Sequence, residues 1–215
     1  MFLKFAKFGL LISVILFFTN CSSSYLAVAD DNQTYEYQTL CFEDMVDETY
    51  RFEMSFKLLF KNRTAQGMMS SSIQEDTLYV QYFSDFGKNL LIFKRDIKHQ
   101  ESKWELVYTL PEMNYDGLHT WFKEDLEVLF AKYFISEYKI DKKQEYVQYL
   151  KRYNSAQNIV YLQNPDDKKF NKAFLIDKKK KIIKDFDIDR SENTIKIQYK
   201  TKKVTIKYKK LDATR

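Results

Sequence analysis

The chain has 215 residues, enough for one domain of ordinary size and hardly enough for two. Its apolar share of 45% can fill a core, and an aromatic share of 17%, with 18 Phe and 16 Tyr, favours strands. Only four Gly and two Pro occur, which argues against a Pro/Gly-rich linker, and no internal repeat of fixed period stands out. The net charge of +5 is uneven: residues 166–215 hold 17 Lys and Arg against 8 Asp and Glu. A basic end attracts phosphate, acidic lipid or nucleic acid. The regular alternation of Lys with apolar residues there reads first as a solvated strand face.

Residues 1–20 have the form of a targeting segment. Lys4 and Lys7 make a charged head, and Phe8 to Phe18 is an uncharged apolar run too short for a comfortable membrane span. Cys21 follows at once, then Ser22-Ser23-Ser24, as in a bacterial lipoprotein signal whose cysteine is acylated with palmitate or a similar chain. Phe18 and Asn20 depart from the usual Leu and small residue of that pattern. Ala27-Val28-Ala29 is a rival, an ordinary cleavage site of small-x-small form. If Cys21 is acylated or removed, Cys41 is left alone and reads as a small buried apolar residue. Otherwise a Cys21–Cys41 disulfide is open to it in an oxidising compartment. Residues 21–48 read as anchor and tether, and 49–212 as the domain.

The domain opens on the clearest strand, Arg51 to Lys61, with Phe52, Met54, Phe56, Leu58 and Phe60 on one face. Asn62-Arg63-Thr64 reads as a turn, and Ala65 to Ser70 as a return strand in which Gly67 marks a bulge or bend. In Thr77 to Phe83, Leu78, Val80 and Tyr82 share one face. A turn at Ser84-Asp85-Phe86-Gly87 follows, with a large apolar residue where polar ones are expected. Leu90, Ile92 and Lys94 begin a new alternation, and Trp104, Leu106, Tyr108 and Leu110 a third.

After Pro111 the apolar period changes from two to 3.6. Leu118, Trp121, Phe122, Leu126, Leu129, Phe130, Tyr133 and Phe134 form one helical face. Lys123, Glu124, Asp125, Glu127 and Lys132 form the other, where solvated charge is the usual role. Asp116 or Thr120 is placed to cap this helix. Burying each of its large apolar side chains contributes on the order of 2 kcal/mol. Asp141 to Tyr153 fits a helix or a strand. Short strands follow at Asn158–Leu162, Phe170–Ile176, Ile182–Ile188, Thr194–Tyr199 and Val204–Tyr208, with Asn164 to Asp167 and Asp177 to Lys181 as turns.

The expected fold is mainly β (α+β): a curved antiparallel half-barrel of about ten strands covering an apolar helix. Phe52, Met54, Phe56, Leu78, Val80, Tyr82, Trp104, Trp121, Phe122, Leu126 and Phe130 would line its inside, as an apolar cavity or as a filled core.

A lipoprotein signal, a long antiparallel sheet, an apolar helix after the fifth strand and then more strands resemble the LolA/LolB-type lipoprotein-sorting family, on its LolB side. Tyr79 to Ile92 stands where that family has a strand, a turn and a second strand. Phe86 matches the family's protruding apolar residue and Gly87 its glycine, while Asp85 departs from its proline. The resemblance implies a membrane-insertion loop at Phe86 and Gly87, and a cavity for an acyl chain or lipidated protein cargo. It implies a lipid-anchored protein of the outer membrane, on its periplasmic face. No CxxC, HExxH, phosphate loop or nucleophile elbow occurs, and His99 and His119 stand apart, so no catalytic residue, cofactor or metal is expected. A secreted chain seldom meets nucleic acid. The alternative is a structural or adhesive surface lipoprotein with a filled core and a protein or glycan partner.

Overall fold

The computed structural model describes residues 45–58, 61–99, 101–134, 139–142, 147–163 and 170–211. The expected signal peptide, Cys21, Ala27-Val28-Ala29, Cys41, almost all of the expected tether and the turn expected at Asn164–Asp167 lie outside the described residues.

Period-two alternation becomes strands throughout. In chain order they are β1 (Thr49–Leu58), β2 (Lys61–Gln74), β3 (Thr77–Phe83), β4 (Asn89–Asp96) and β5 (Glu105–Thr109). The helix α1 (Asp116–Leu129) follows. Then come β6 (Lys139–Lys142), β7 (Val147–Arg152), β8 (Gln157–Gln163), β9 (Phe170–Asp177), β10 (Ile182–Asp189), β11 (Thr194–Tyr199) and β12 (Val204–Lys210). All twelve belong to one sheet in the order β5-β4-β3-β2-β1-β12-β11-β10-β9-β8-β7-β6. Twelve described strands replace the expected ten because the ambiguous stretch from Asp141 to Tyr153 supplies parts of β6 and β7.

The sheet is two meanders joined at the middle, where the first and last strands pair antiparallel with Phe52 opposite Tyr208 and Met54 opposite Ile206. Its two edges are β5 and β6, the strands on either side of α1 in the chain. The helix therefore carries the chain from one edge of an open, curved sheet to the other, and its side chains pack into the inner face. That face presents Phe52, Leu78, Val80, Tyr82, Phe93, Tyr161, Phe186, Ile197 and Tyr208 to the helix residues Phe122, Leu126 and Phe130 in one buried cluster.

Several local expectations change. Asn62, Arg63 and Thr64 lie within β2, opposite Lys57, Phe56 and Ser55, and are strand, not turn. The ladder runs regularly through Gly67, opposite Phe52. Gly67 is there for close approach: a Cβ would collide with the Phe83 carbonyl oxygen and reach within 2.9 Å of the Phe52 ring. On β4 the buried series is Leu91, Phe93 and Arg95, not Leu90, Ile92 and Lys94. A register shift after Tyr82 sets Tyr82 opposite Leu91 and Phe83 opposite Asn89, which moves the inner face by one residue. The helix has no side-chain cap; its N-cap is Tyr115, and the Thr120 hydroxyl donates to the Asp116 carbonyl oxygen instead.

Lysines on the outer face of the central strands stand in a row of charge. Glu53 is opposite Lys207, Lys207 opposite Lys196, and Lys196 opposite Asp187. These are the solvated strand positions that the alternation implied.

Candidate functional site

Two places bear on function: the hairpin between β3 and β4, and the space between the sheet and α1.

The hairpin closes tightly. The Ser84 N–H donates to the Lys88 carbonyl oxygen at 2.9 Å, and the Gly87 N–H donates to the Ser84 carbonyl oxygen at 2.8 Å. The Lys88 N–H donates to the Ser84 hydroxyl at 3.2 Å. Gly87 has φ of 76°, a left-handed conformation that glycine adopts without strain. An Arg51–Asp85 ion pair at 3.5 Å links the turn to β1. Phe86 sits at the apex with 98% of its surface exposed. A phenylalanine held out of the core by a closed turn has no packing role there.

The inner residues come together as one packed cluster. Phe52, Met54, Leu78, Val80, Tyr82, Trp104, Phe122, Leu126 and Phe130 are buried in it, and Phe56 and Trp121 pack against it half-buried. Their rings meet edge to face: Tyr82 lies 4.7 Å from Phe122 and 5.5 Å from Phe52, and Trp104 lies 6.0 Å from Phe130.

The polar side of α1 departs from expectation. Asp125 is fully buried and Glu127 is 7% exposed, because the helix lies inside a curved sheet that also covers its flanks. Each meets a cation from a strand. The Lys184 ammonium on β10 donates to Asp125 at 2.8 Å and to the Trp121 carbonyl oxygen at 3.0 Å, and pairs with Glu124 at 2.8 Å. The Tyr199 hydroxyl donates to the other Asp125 oxygen at 2.5 Å. Beside it, the Tyr82 and Tyr208 hydroxyls are 3.2 Å apart. Burial pushes the Asp125 carboxyl above the usual carboxylate range, against the pull of Lys184 and the Tyr199 hydrogen bond. Burial likewise pushes the phenols of Tyr82, Tyr199 and Tyr208 upward, so all three keep their protons at neutral pH.

Toward the other end of α1, the Arg95 guanidinium pairs with Glu127 and lies 3.6 Å from the centre of the Phe134 ring. Burial draws Arg95 below its usual range and Glu127 opposes that shift. His119 donates from Nε2 to the Met113 carbonyl oxygen at 3.0 Å and braces the start of the helix. These groups fasten the helix; none is arranged as nucleophile and base. Among the described residues no group of three or more His, Cys, Asp or Glu is placed to hold a metal.

Lys184 and Arg95 were missed at sequence level, yet a signal exists for each. Lys184 occupies the inward phase of Phe186 and Ile188, and Arg95 that of Leu91 and Phe93. A cation on a buried phase needs a buried partner.

No family model and no curated protein matches this chain. In architecture the chain is similar to three solved structures. One is described as an outer-membrane lipoprotein-sorting protein domain from Vibrio parahaemolyticus, 13% identical, covering 79% of this chain and 85% of that one at a TM-score of 0.47. Another is a LolA superfamily protein from Nitrosomonas europaea, 8% identical, covering 79% and 86% at 0.42. The third is a DUF1329 family protein from Desulfovibrio piger, 12% identical, covering 77% and 83% at 0.42.

Proposed function

We propose that this chain is a lipid-anchored, non-enzymatic protein of the cell envelope. It holds an acyl chain or lipidated protein between the sheet and α1 and delivers it at the outer membrane through Phe86. The observation that carries this reading is the exposure of Phe86 at the apex of a closed turn. An apolar side chain on a rigid hairpin enters the acyl boundary of a bilayer at little conformational cost. An open sheet with a helix bridging its edges supports it further, since apolar surface lines the space between them.

The test is native mass spectrometry of the protein purified from cells, joined to a transfer assay with Phe86→Glu. A bound fatty-acyl mass, and a variant that folds normally but transfers cargo poorly, are the expected results. A clean apo mass with no uptake of added phospholipid or acyl peptide overturns the reading.

A second reading, a structural or adhesive envelope protein, is favoured by the close ring packing between Tyr82, Phe52 and Phe122. It predicts that apo mass and a protein or glycan partner.

A further inference from the structure

In an antiparallel meander successive turns fall at alternate ends of the sheet. The register here puts the turn of Phe86 at the same end as the β11–β12 turn and the β9–β10 turn. Tyr199 opposite Val204 closes the second, and Ile176 opposite Ile182 the third. These three turns, residues 84–88, 177–181 and 200–203, hold eight lysines against two carboxylates. All eight lysines are exposed. Arg63, exposed near the β1–β2 tip, adds another cation at this end, and Glu112 and Asp116, exposed before and at the start of α1, add two acids.

The two carboxylates within the turns are already engaged. Asp85 pairs with Arg51. Asp177 accepts the backbone N–H groups of Lys179 and Lys181 at 2.8 and 2.9 Å, so it shapes the lysine turn from within. Among the lysines, Lys200 pairs with Asp185 at 3.1 Å and Lys202 lies 4.0 Å from the Trp121 ring centre.

The opposite end has the reverse sign. Among the described residues there, 47–48, 75–76, 96–103, 189–193 and 209–210 hold eight carboxylates against five Lys and Arg, with Lys210 paired to Glu48 at 2.7 Å. The half-barrel is thus charged along its length, positive at the end that carries Phe86.

We infer that this rim, with Phe86 on a hairpin at one side of its lysine turns, docks end-on to a bilayer surface rich in anionic phospholipid. The inference deepens the carrier reading and rests on it for the role of Phe86. The combination selects the partner. A soluble polyanion would use the lysines and leave a fully exposed phenylalanine in water, whereas a bilayer takes both, headgroup phosphates by the lysines and acyl boundary by the ring. Successive hairpins stand about 10 Å apart along the sheet, so the charged turns can meet separate headgroups. The acidic end is repelled and fixes the orientation.

The test is flotation of the full-length protein with vesicles of phosphatidylcholine alone or mixed with phosphatidylglycerol. The protein should prefer the mixed vesicles by about tenfold or more, since each lysine near an anionic surface contributes roughly fivefold. The preference should shrink at about 1 M salt. A variant with Lys88→Glu, Lys178→Glu, Lys179→Glu and Lys181→Glu should lose it, while Glu75→Lys with Asp76→Lys at the far end should not. Equal binding to both vesicles, or a preference that survives the four lysine changes, overturns the inference. So does binding to heparin that matches binding to mixed vesicles and ignores Phe86→Glu. Acyl uptake measured on the same samples separates the two ideas. Lost uptake with intact lipid preference sinks the carrier reading alone, and the reverse sinks the docking rim alone.

Discussion

Lys184 and Asp125, 59 residues apart in the chain, meet at 2.8 Å inside the half-barrel and join β10 to α1. Both are buried, so each depends on the other to remain charged away from water. Lys184→Met should cost about 3–5 kcal/mol in urea unfolding, because it strands a buried carboxylate. Lys184→Met with Asp125→Leu should recover much of that loss. Asp125 already has a raised pKa in the folded protein. Its carboxyl therefore favours folding most when protonated, and that contribution falls as pH rises from the ordinary value near 3.8 through the raised one. The deficit of the single variant should shrink in acid and widen toward neutral pH. A deficit that does not change with pH would show that the pair is not its origin.

Gly67 gives a second test. Its missing side chain is the space that the Phe83 carbonyl oxygen and the Phe52 ring occupy. Gly67→Ala should lower stability by about 1–3 kcal/mol, the usual cost of overpacking. Thermal unfolding of the variant measures it, and an unchanged midpoint would mean that β2 shifts away without penalty.

The Phe86 turn should separate stability from function. Phe86 is exposed, so Phe86→Ser should stay within about 0.5 kcal/mol of the parent protein. Gly87→Ala has open space around it but a φ of 76°, and should cost about 1 kcal/mol from backbone strain alone. Gly87→Asn should cost less, since asparagine tolerates this conformation. Chemical denaturation of the three variants ranks them.

Asp96 offers a pH effect of opposite sign. It is held below the ordinary carboxylate value of 3.8, first by its hydrogen bond with His99 and then by the N–H groups of Lys98 and His99. A carboxyl lowered by folding stabilises above its unfolded pKa, and that contribution is lost as pH falls through the folded one. Asp96→Asn should be the less stable protein near pH 5, with the gap closing as pH falls below 3.8. Melting temperatures across that range decide it.

Much of the fold was legible because a strand's side chains alternate whatever surrounds it. β11 was read to the residue, and β3, β8, β9, β10 and β12 to within a residue or two, from the spacing of Leu78, Val80 and Tyr82 or of Ile195, Ile197 and Tyr199. Phe86 was legible as an anomaly, an apolar residue in a polar turn, while the left-handed conformation of Gly87 that closes the turn is seen only in the structure. On β4 the same logic failed by one residue, since the bulge that sets its phase leaves no mark in composition.

The sequence alone determined the alternation, the position of the helix and the presence of a basic C-terminal region, because these are properties of neighbours along the chain. Only the tertiary structure decided that Asp125 and Glu127 face inward. A helix amphipathic in isolation has one wet side, but this one lies within a curved sheet that wraps its flanks, and β10 and β4 bring it Lys184 and Arg95. The charge at the two ends was decided the same way. Lysines at residues 88, 178–181, 200, 202 and 203 are scattered in the chain, and antiparallel pairing gathers them at one rim because every second turn returns to the same end.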